Sequence, residues 1–67
     1  MVTIITLTGG GDTKQTLSMK EAARYLIANS NRYLVVDWGT KQVIHKDRFE
    51  TLADDAVIGL IPQIVGG

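Results

Sequence analysis

One stretch of this 67-residue chain carries the spacing of an amphipathic helix. Met19, Ala22, Ala23, Leu26 and Ile27 recur at the three- and four-residue intervals that gather side chains on one face, while Lys20, Arg24 and Asn31 fall largely elsewhere. Ser18-Met19-Lys20-Glu21 fits a capping box, with Ser18 as N-cap and Glu21 at the third helical position. Leu17 and Ala22 stand where a hydrophobic staple would sit, although Ala is a weak partner. Asn29-Ser30-Asn31 favours a cap or turn and predicts the helix end, about three turns on. A single helix has a single apolar stripe, which needs a second layer to cover it. The remainder of the chain must supply that layer.

It reads as strands. Val2 to Thr8 is rich in β-branched residues and mixes apolar side chains with Thr. Gly9-Gly10-Gly11-Asp12 breaks it, since glycine tolerates the backbone angles of tight connections, and Lys14 to Leu17 can return as a second strand. Tyr33 to Asp37 is the most strand-like run, turned by Trp38-Gly39-Thr40 and followed by a short strand at Gln42-Val43-Ile44. His45 to Asp55 has no long apolar pattern and predicts a loop with one short helical turn. Val57 to Ile61 is the last strand, with Pro62, which cannot donate to a ladder, at its end. The order is strand, strand, helix, strand, short strand, strand: an α+β chain with a mixed four- to five-stranded sheet packed on one main helix. Residues 1–67 are expected to form a single domain with a flexible tail over 63–67.

Size and composition narrow the function. A chain this short buries only about 60% of the surface its unfolded form exposes, which leaves little room for an enclosed cleft. Lys plus Arg and Asp plus Glu both number 7, and the bases form no block, so neither nucleic-acid binding nor an electrostatic membrane anchor is expected. The absence of cysteine removes disulfides, a thiol nucleophile and thiolate zinc ligands. No apolar run nears the roughly 20 residues of a membrane span, and Thr3 and Thr6 interrupt any signal-like start, so a cytoplasmic chain is expected.

The stretch Ile61-Pro62-Gln63-Ile64-Val65-Gly66-Gly67 is the informative one. Two glycines behind a strand are usually a frayed end. Here they close the sequence, and six residues beyond Ile61, at ~3.3 Å each when extended, reach roughly 20 Å from the body. Lacking Cβ atoms, they would thread a narrow channel and present the Gly67 carboxylate to a nucleotide, an attack that a larger last residue would crowd.

With these residues in place, the chain resembles the prokaryotic ubiquitin-like, or β-grasp, sulfur carriers of thiamine and molybdopterin synthesis. The resemblance covers the element order over nearly the whole chain. It is strongest from Val35 onward, in Val43-Ile44, Lys46, Phe49, Asp54-Asp55, Val57 to Ile61 and Ile64-Val65-Gly66-Gly67. The length suits the thiamine-type carriers. The sequence departs from that type at Asp54-Asp55-Ala56, where Asp-Gly-Asp is common, at His45, where proline is frequent, and in a longer turn at Asp37 to Lys41.

The resemblance implies a carrier rather than an enzyme. An adenylating enzyme of the ubiquitin-activating type, using ATP and magnesium, would activate Gly67, and a sulfur donor would convert the acyl adenylate to a thiocarboxylate. A receiving synthase (thiazole synthase, or the large subunit of molybdopterin synthase) would then take the sulfur. The chain itself would bind no cofactor and no metal, and would be a monomer when free. A protein modifier joined to lysines, or a non-catalytic β-grasp interaction module, are the other readings. Gly66 and Gly67 are the expected site, and Ile58, Leu60, Pro62, Ile64 and Val65 the expected partner-binding residues. By the period of two, Ile58 and Leu60 face opposite to Val57, Gly59 and Ile61, and one of these faces lies away from the helix. An apolar patch there would be a docking surface unless the short helical turn covers it.

Other motifs favour plain readings. His45 has no second histidine or cysteine to join as a metal ligand, which leaves a solvated loop residue. Gly9-Gly10-Gly11 lacks the Gly-Lys-Ser/Thr and the helix of a phosphate loop, and reads as a hairpin turn. Asp54-Asp55 with Asp47 and Glu50 lacks calcium-loop spacing and reads as a polar turn. Tyr33 and Trp38 have no basic surface to make them a base-stacking pair, so Trp38 is expected at a sheet edge or beside the turn. Nothing selects one lysine for modification.

Overall fold

A computed structural model describes residues 1–63. It comprises strand β1 (Val2–Thr8), β2 (Gly11–Leu17), helix α1 (Met19–Asn29), β3 (Tyr33–Asp37), a 3₁₀ helix (Lys46–Thr51) and β4 (Val57–Pro62). The sheet runs in the order β2-β1-β4-β3. The two outer pairings are antiparallel, whereas β1 and β4 run parallel at the centre, with Ile4 beside Ile58 and Thr6 beside Leu60. The protein is therefore an α+β domain with a four-stranded mixed sheet and one main helix, an arrangement compatible with the β-grasp.

Local chemistry explains the element ends. Ser18 caps α1: its hydroxyl accepts from the Glu21 backbone N–H at 3.2 Å and lies 3.2 Å from the Glu21 carboxylate. A cap of this kind holds roughly 1 kcal/mol of helix stability. At the far end the Ser30 N–H bonds the Ile27 carbonyl, and the Asn29 amide bonds the Tyr25 carbonyl. The first hairpin is tighter than the sequence suggested. β2 begins at Gly11 rather than near Lys14, and Gly9-Gly10 alone make the turn, because Thr8 pairs with Gly11 and Gly11 takes φ 127°, where a side chain would be strained.

The predicted short strand at Gln42–Ile44 is reduced to a single bridge between Val36 and Val43. Two backbone bonds still hold it beside β3: Asp37 N–H to the Gln42 carbonyl and Ile44 N–H to the Val35 carbonyl, both 2.8 Å.

The core lies between the sheet and α1. Val2 and Ile4 from β1, Val35 from β3, and Ile58 and Leu60 from β4 meet Ala22, Ala23 and Leu26, and Phe49 of the 3₁₀ helix closes one side. Alanines let the helix lie close to the sheet, so the stripe is narrower than its periodicity implied: Met19 and Ile27 sit at its exposed margins. Thr6 continues the buried register of Val2 and Ile4, and its hydroxyl has no hydrogen-bond partner among the described residues. A buried unpaired hydroxyl costs about 1–3 kcal/mol. Thr6→Val is accordingly expected to raise the melting temperature by roughly 4–8 °C, for about 1 kcal/mol recovered; a fall in thermal denaturation scans would show the hydroxyl to be satisfied.

Candidate functional site

The candidate site has two parts: the face of the sheet turned away from α1, and the end of β4. Strand alternation sends Val2, Ile4 and Thr6 toward the helix and Thr3, Ile5 and Leu7 to the other face. In β4, Ile58 and Leu60 point inward and are fully buried beneath the helix. This corrects their assignment as partner-binding residues. The parity was right, but the helix covers the face that carries them. The open face instead holds Val57, Gly59 and Ile61, with Leu34 opposite Ile61 and Val36 opposite Gly59 on β3. On the other flank Ile5 lies opposite Gly59, and Lys14 opposite Ile5.

Trp38 organises the middle of this face, a role that its position beside a turn only half indicates. Its backbone N–H bonds the Val57 carbonyl at 2.9 Å, which ties the residue to β4 just beyond the last paired position of β3. The indole then lies over Gly59. A Cβ built on Gly59 would collide with Trp38 Cε3 and come within 2.9 Å of Cζ3 and 3.1 Å of Val36 Cγ2. Gly59 is thus needed for close approach, and Val36 and Gly59 are buried although they face away from the helix.

The turn after Trp38 is fixed by Asp37. Its carboxylate accepts from the Gly39 and Thr40 N–H groups at 2.9 and 3.1 Å, the side-chain-to-backbone pattern that suits Asp in turns. Its carbonyl takes the Lys41 N–H at 2.7 Å, and Lys41 adopts φ 62°. That conformation returns the Lys41 ammonium over the indole, 3.5 Å from the ring centroid, well within cation–π range.

β4 ends at the other end of the face. Pro62 is exposed and pairs in register with Tyr33, and the Gln63 N–H still bonds the Arg32 carbonyl at 3.0 Å. Pro62 is the one expected partner-binding residue that stands exposed among the described residues. Ile64, Val65, Gly66 and Gly67 lie outside the described residues, and with them the expected activation site and most of the expected tail.

The remaining candidates are dispersed. His45 is exposed, and its carbonyl accepts from the Arg48 N–H at the start of the 3₁₀ helix. Asp54 and Asp55 form an exposed turn closed by the Ala56 N–H on the Ala53 carbonyl, with Asp54 3.4 Å from the Met1 amino group. An open hollow of about 660 Å³ beside the Asp37 turn is bordered by Thr40, His45, Arg48 and Thr51, all exposed. Among the described residues no three His, Cys, Asp or Glu side chains gather to hold a metal ion, and no helix is long and apolar enough to cross a membrane. No protein-family model, no curated protein and no solved structure matches the chain.

Proposed function

We propose that this protein is a cytoplasmic sulfur carrier of the ubiquitin-like kind, activated at the Gly67 carboxylate and serving thiazole formation in thiamine synthesis. The observation that supports this reading best is the place of β4. It is a central strand, hydrogen-bonded on both sides by β1 and β3, and it leads through Pro62 directly into the stretch Gln63 to Gly67. A strand anchored by two neighbours gives the residues after it a fixed point of departure. The diglycine then offers an unhindered carboxylate to an enzyme that brings ATP and magnesium.

In this reading the chain contributes neither acid, base nor metal ligand. The Gly67 carboxylate attacks the α-phosphorus of ATP and displaces pyrophosphate. Sulfide equivalents from a donor then displace AMP from the acyl adenylate and leave a thiocarboxylate. A receiving synthase takes the sulfur and returns the carboxylate. Molybdopterin synthesis is the second destination with the same chemistry.

The test is mass spectrometry of the chain after incubation with an adenylating enzyme of the ubiquitin-activating type, ATP, magnesium and a sulfur donor. The expected product has one oxygen replaced by sulfur at the C-terminus, and deletion of Gly67 is expected to abolish it. An unchanged mass, with the enzyme shown active on another carrier, rules the reading out. Diglycine remnants on cellular lysines would instead identify a protein modifier. Full cellular function after removal of Gly66-Gly67 would leave a plain interaction module.

A further inference from the structure

We propose that Trp38, seated on Gly59 and capped by Lys41, is the anchor by which the adenylating enzyme of the carrier reaction grips the open face. The matching enzyme surface is apolar at its centre and places carboxylates opposite Lys41 and Lys14. This inference rests on the carrier reading above and names the partner contact that reading needs.

The reasons lie in how much of the fold is arranged around one side chain. Gly59 interrupts an otherwise apolar central strand, and a β-carbon there would drive the indole off the sheet. The ring covers Gly59 beside Val36, with Ile5 paired to Gly59 on the next strand, so an aromatic platform replaces a flat aliphatic surface. Its orientation is preset, because the backbone N–H is bound to Val57 and the following turn is held by three hydrogen bonds to Asp37. A preset aromatic loses little side-chain freedom on binding, which is why tryptophans at the centre of an interface so often dominate affinity.

Charge supplies the chemistry of the partner. Lys41 is exposed, sits over the indole, and has no carboxylate within ion-pair distance among the described residues. Lys14 is exposed at the opposite edge of the same face, in the cross-strand row Val36, Gly59, Ile5, Lys14. Two cations that have no ion-pair partner among the described residues, flanking an apolar centre, complement carboxylates flanking an apolar centre, an arrangement that fixes orientation and speeds encounter. Asp12 lies on this face as well, but beside Leu7 at the hairpin end, away from Trp38.

Position adds the link to function. Trp38 is level with Val57, whereas β4 ends at Pro62. The strand between them spans roughly 17 Å. An enzyme holding Trp38 and lying along the face reaches the point where the tail departs, so the grip orients the tail without touching it.

The test is ATP–pyrophosphate exchange by the ubiquitin-activating-type enzyme of the same cell, with wild-type chain, Trp38→Ala, Lys41→Glu and Lys14→Glu as varied substrates. For Trp38→Ala the KM is expected to rise about tenfold, and for each charge reversal about fivefold. The kcat should stay within about twofold, because the tail that reacts is unchanged. Exchange with KM unaltered in all three overturns this proposal alone, and leaves Trp38 as a simple cover for Gly59. No exchange with the wild type overturns the carrier reading, and this proposal with it.

Should Trp38→Ala lose its fold, two other measurements decide. One is the pair of lysine variants. The other is the ¹⁹F resonance of 5-fluorotryptophan, a single signal because Trp38 is the only tryptophan. A shift on adding the enzyme, reduced in Lys41→Glu, supports the anchor; an unmoved resonance refutes it.

Discussion

Ile58→Ala is expected to lower the melting temperature by roughly 12–24 °C, corresponding to about 3 kcal/mol. Ile58 is fully buried between its β1 neighbour Ile4 and the core beneath α1, so the truncation leaves a cavity that a small domain has few ways to fill. Domains of this size hold only about 3–10 kcal/mol in total, and a loss of this size leaves a measurable unfolded fraction at physiological temperature. Ile61→Ala, further along β4 on the half-exposed face, is expected to cost less than about 1 kcal/mol. Thermal or urea denaturation of the pair checks the assignment of faces. Similar melting points for the two variants would show that the helix does not cover Ile58.

The second large effect has an unusual sign. Valine is favoured over glycine in a central strand, so Gly59→Val read from strand propensity alone should stabilise. The structure reverses this, because the added β-carbon meets the Trp38 ring and the Val36 methyl. We expect a loss of about 1–3 kcal/mol, from displacement of the indole, together with a red shift of the single tryptophan's emission as the ring enters water. The double variant Trp38→Ala/Gly59→Val removes the collision. It is expected to recover most of that loss, a coupling of about 1–3 kcal/mol in a double-mutant cycle. Strict additivity would mean that the ring does not rest on Gly59.

Several elements are legible in the amino-acid order. The helix over Met19–Asn29 is one, because its start is written in Ser18 and Glu21 and its face in alanines and Leu26. Strands β1, β3 and β4 are others, because β-branched residues cluster there between breakers. The segment at Gln42 to Ile44 misleads: Val43 and Ile44 have strand propensity, but after the Asp37 turn only two backbone bonds reach β3. The site is legible in outline alone. The alternation of β4 is clear, but alternation is symmetric, and nothing local to Val57–Pro62 says which of its two faces the helix will choose.

Short stretches of sequence suffice to set which residues form the helix and main strands, where the helix is capped, and that Ile58 and Leu60 share a face opposite Gly59 and Ile61. Backbone sterics, hydrogen-bonding side chains and periods of 3.6 and 2 are enough for that much. It takes the assembled sheet and helix to put Ile58 and Leu60 inside, to fold Trp38 onto Gly59, and to return Lys41 over its ring. Those outcomes depend on the parallel pairing of β1 with β4 and on contact between residues some 20 positions apart, as in Trp38 and Gly59. No local preference encodes such contacts, because their free energy exists only once both strands are in one sheet.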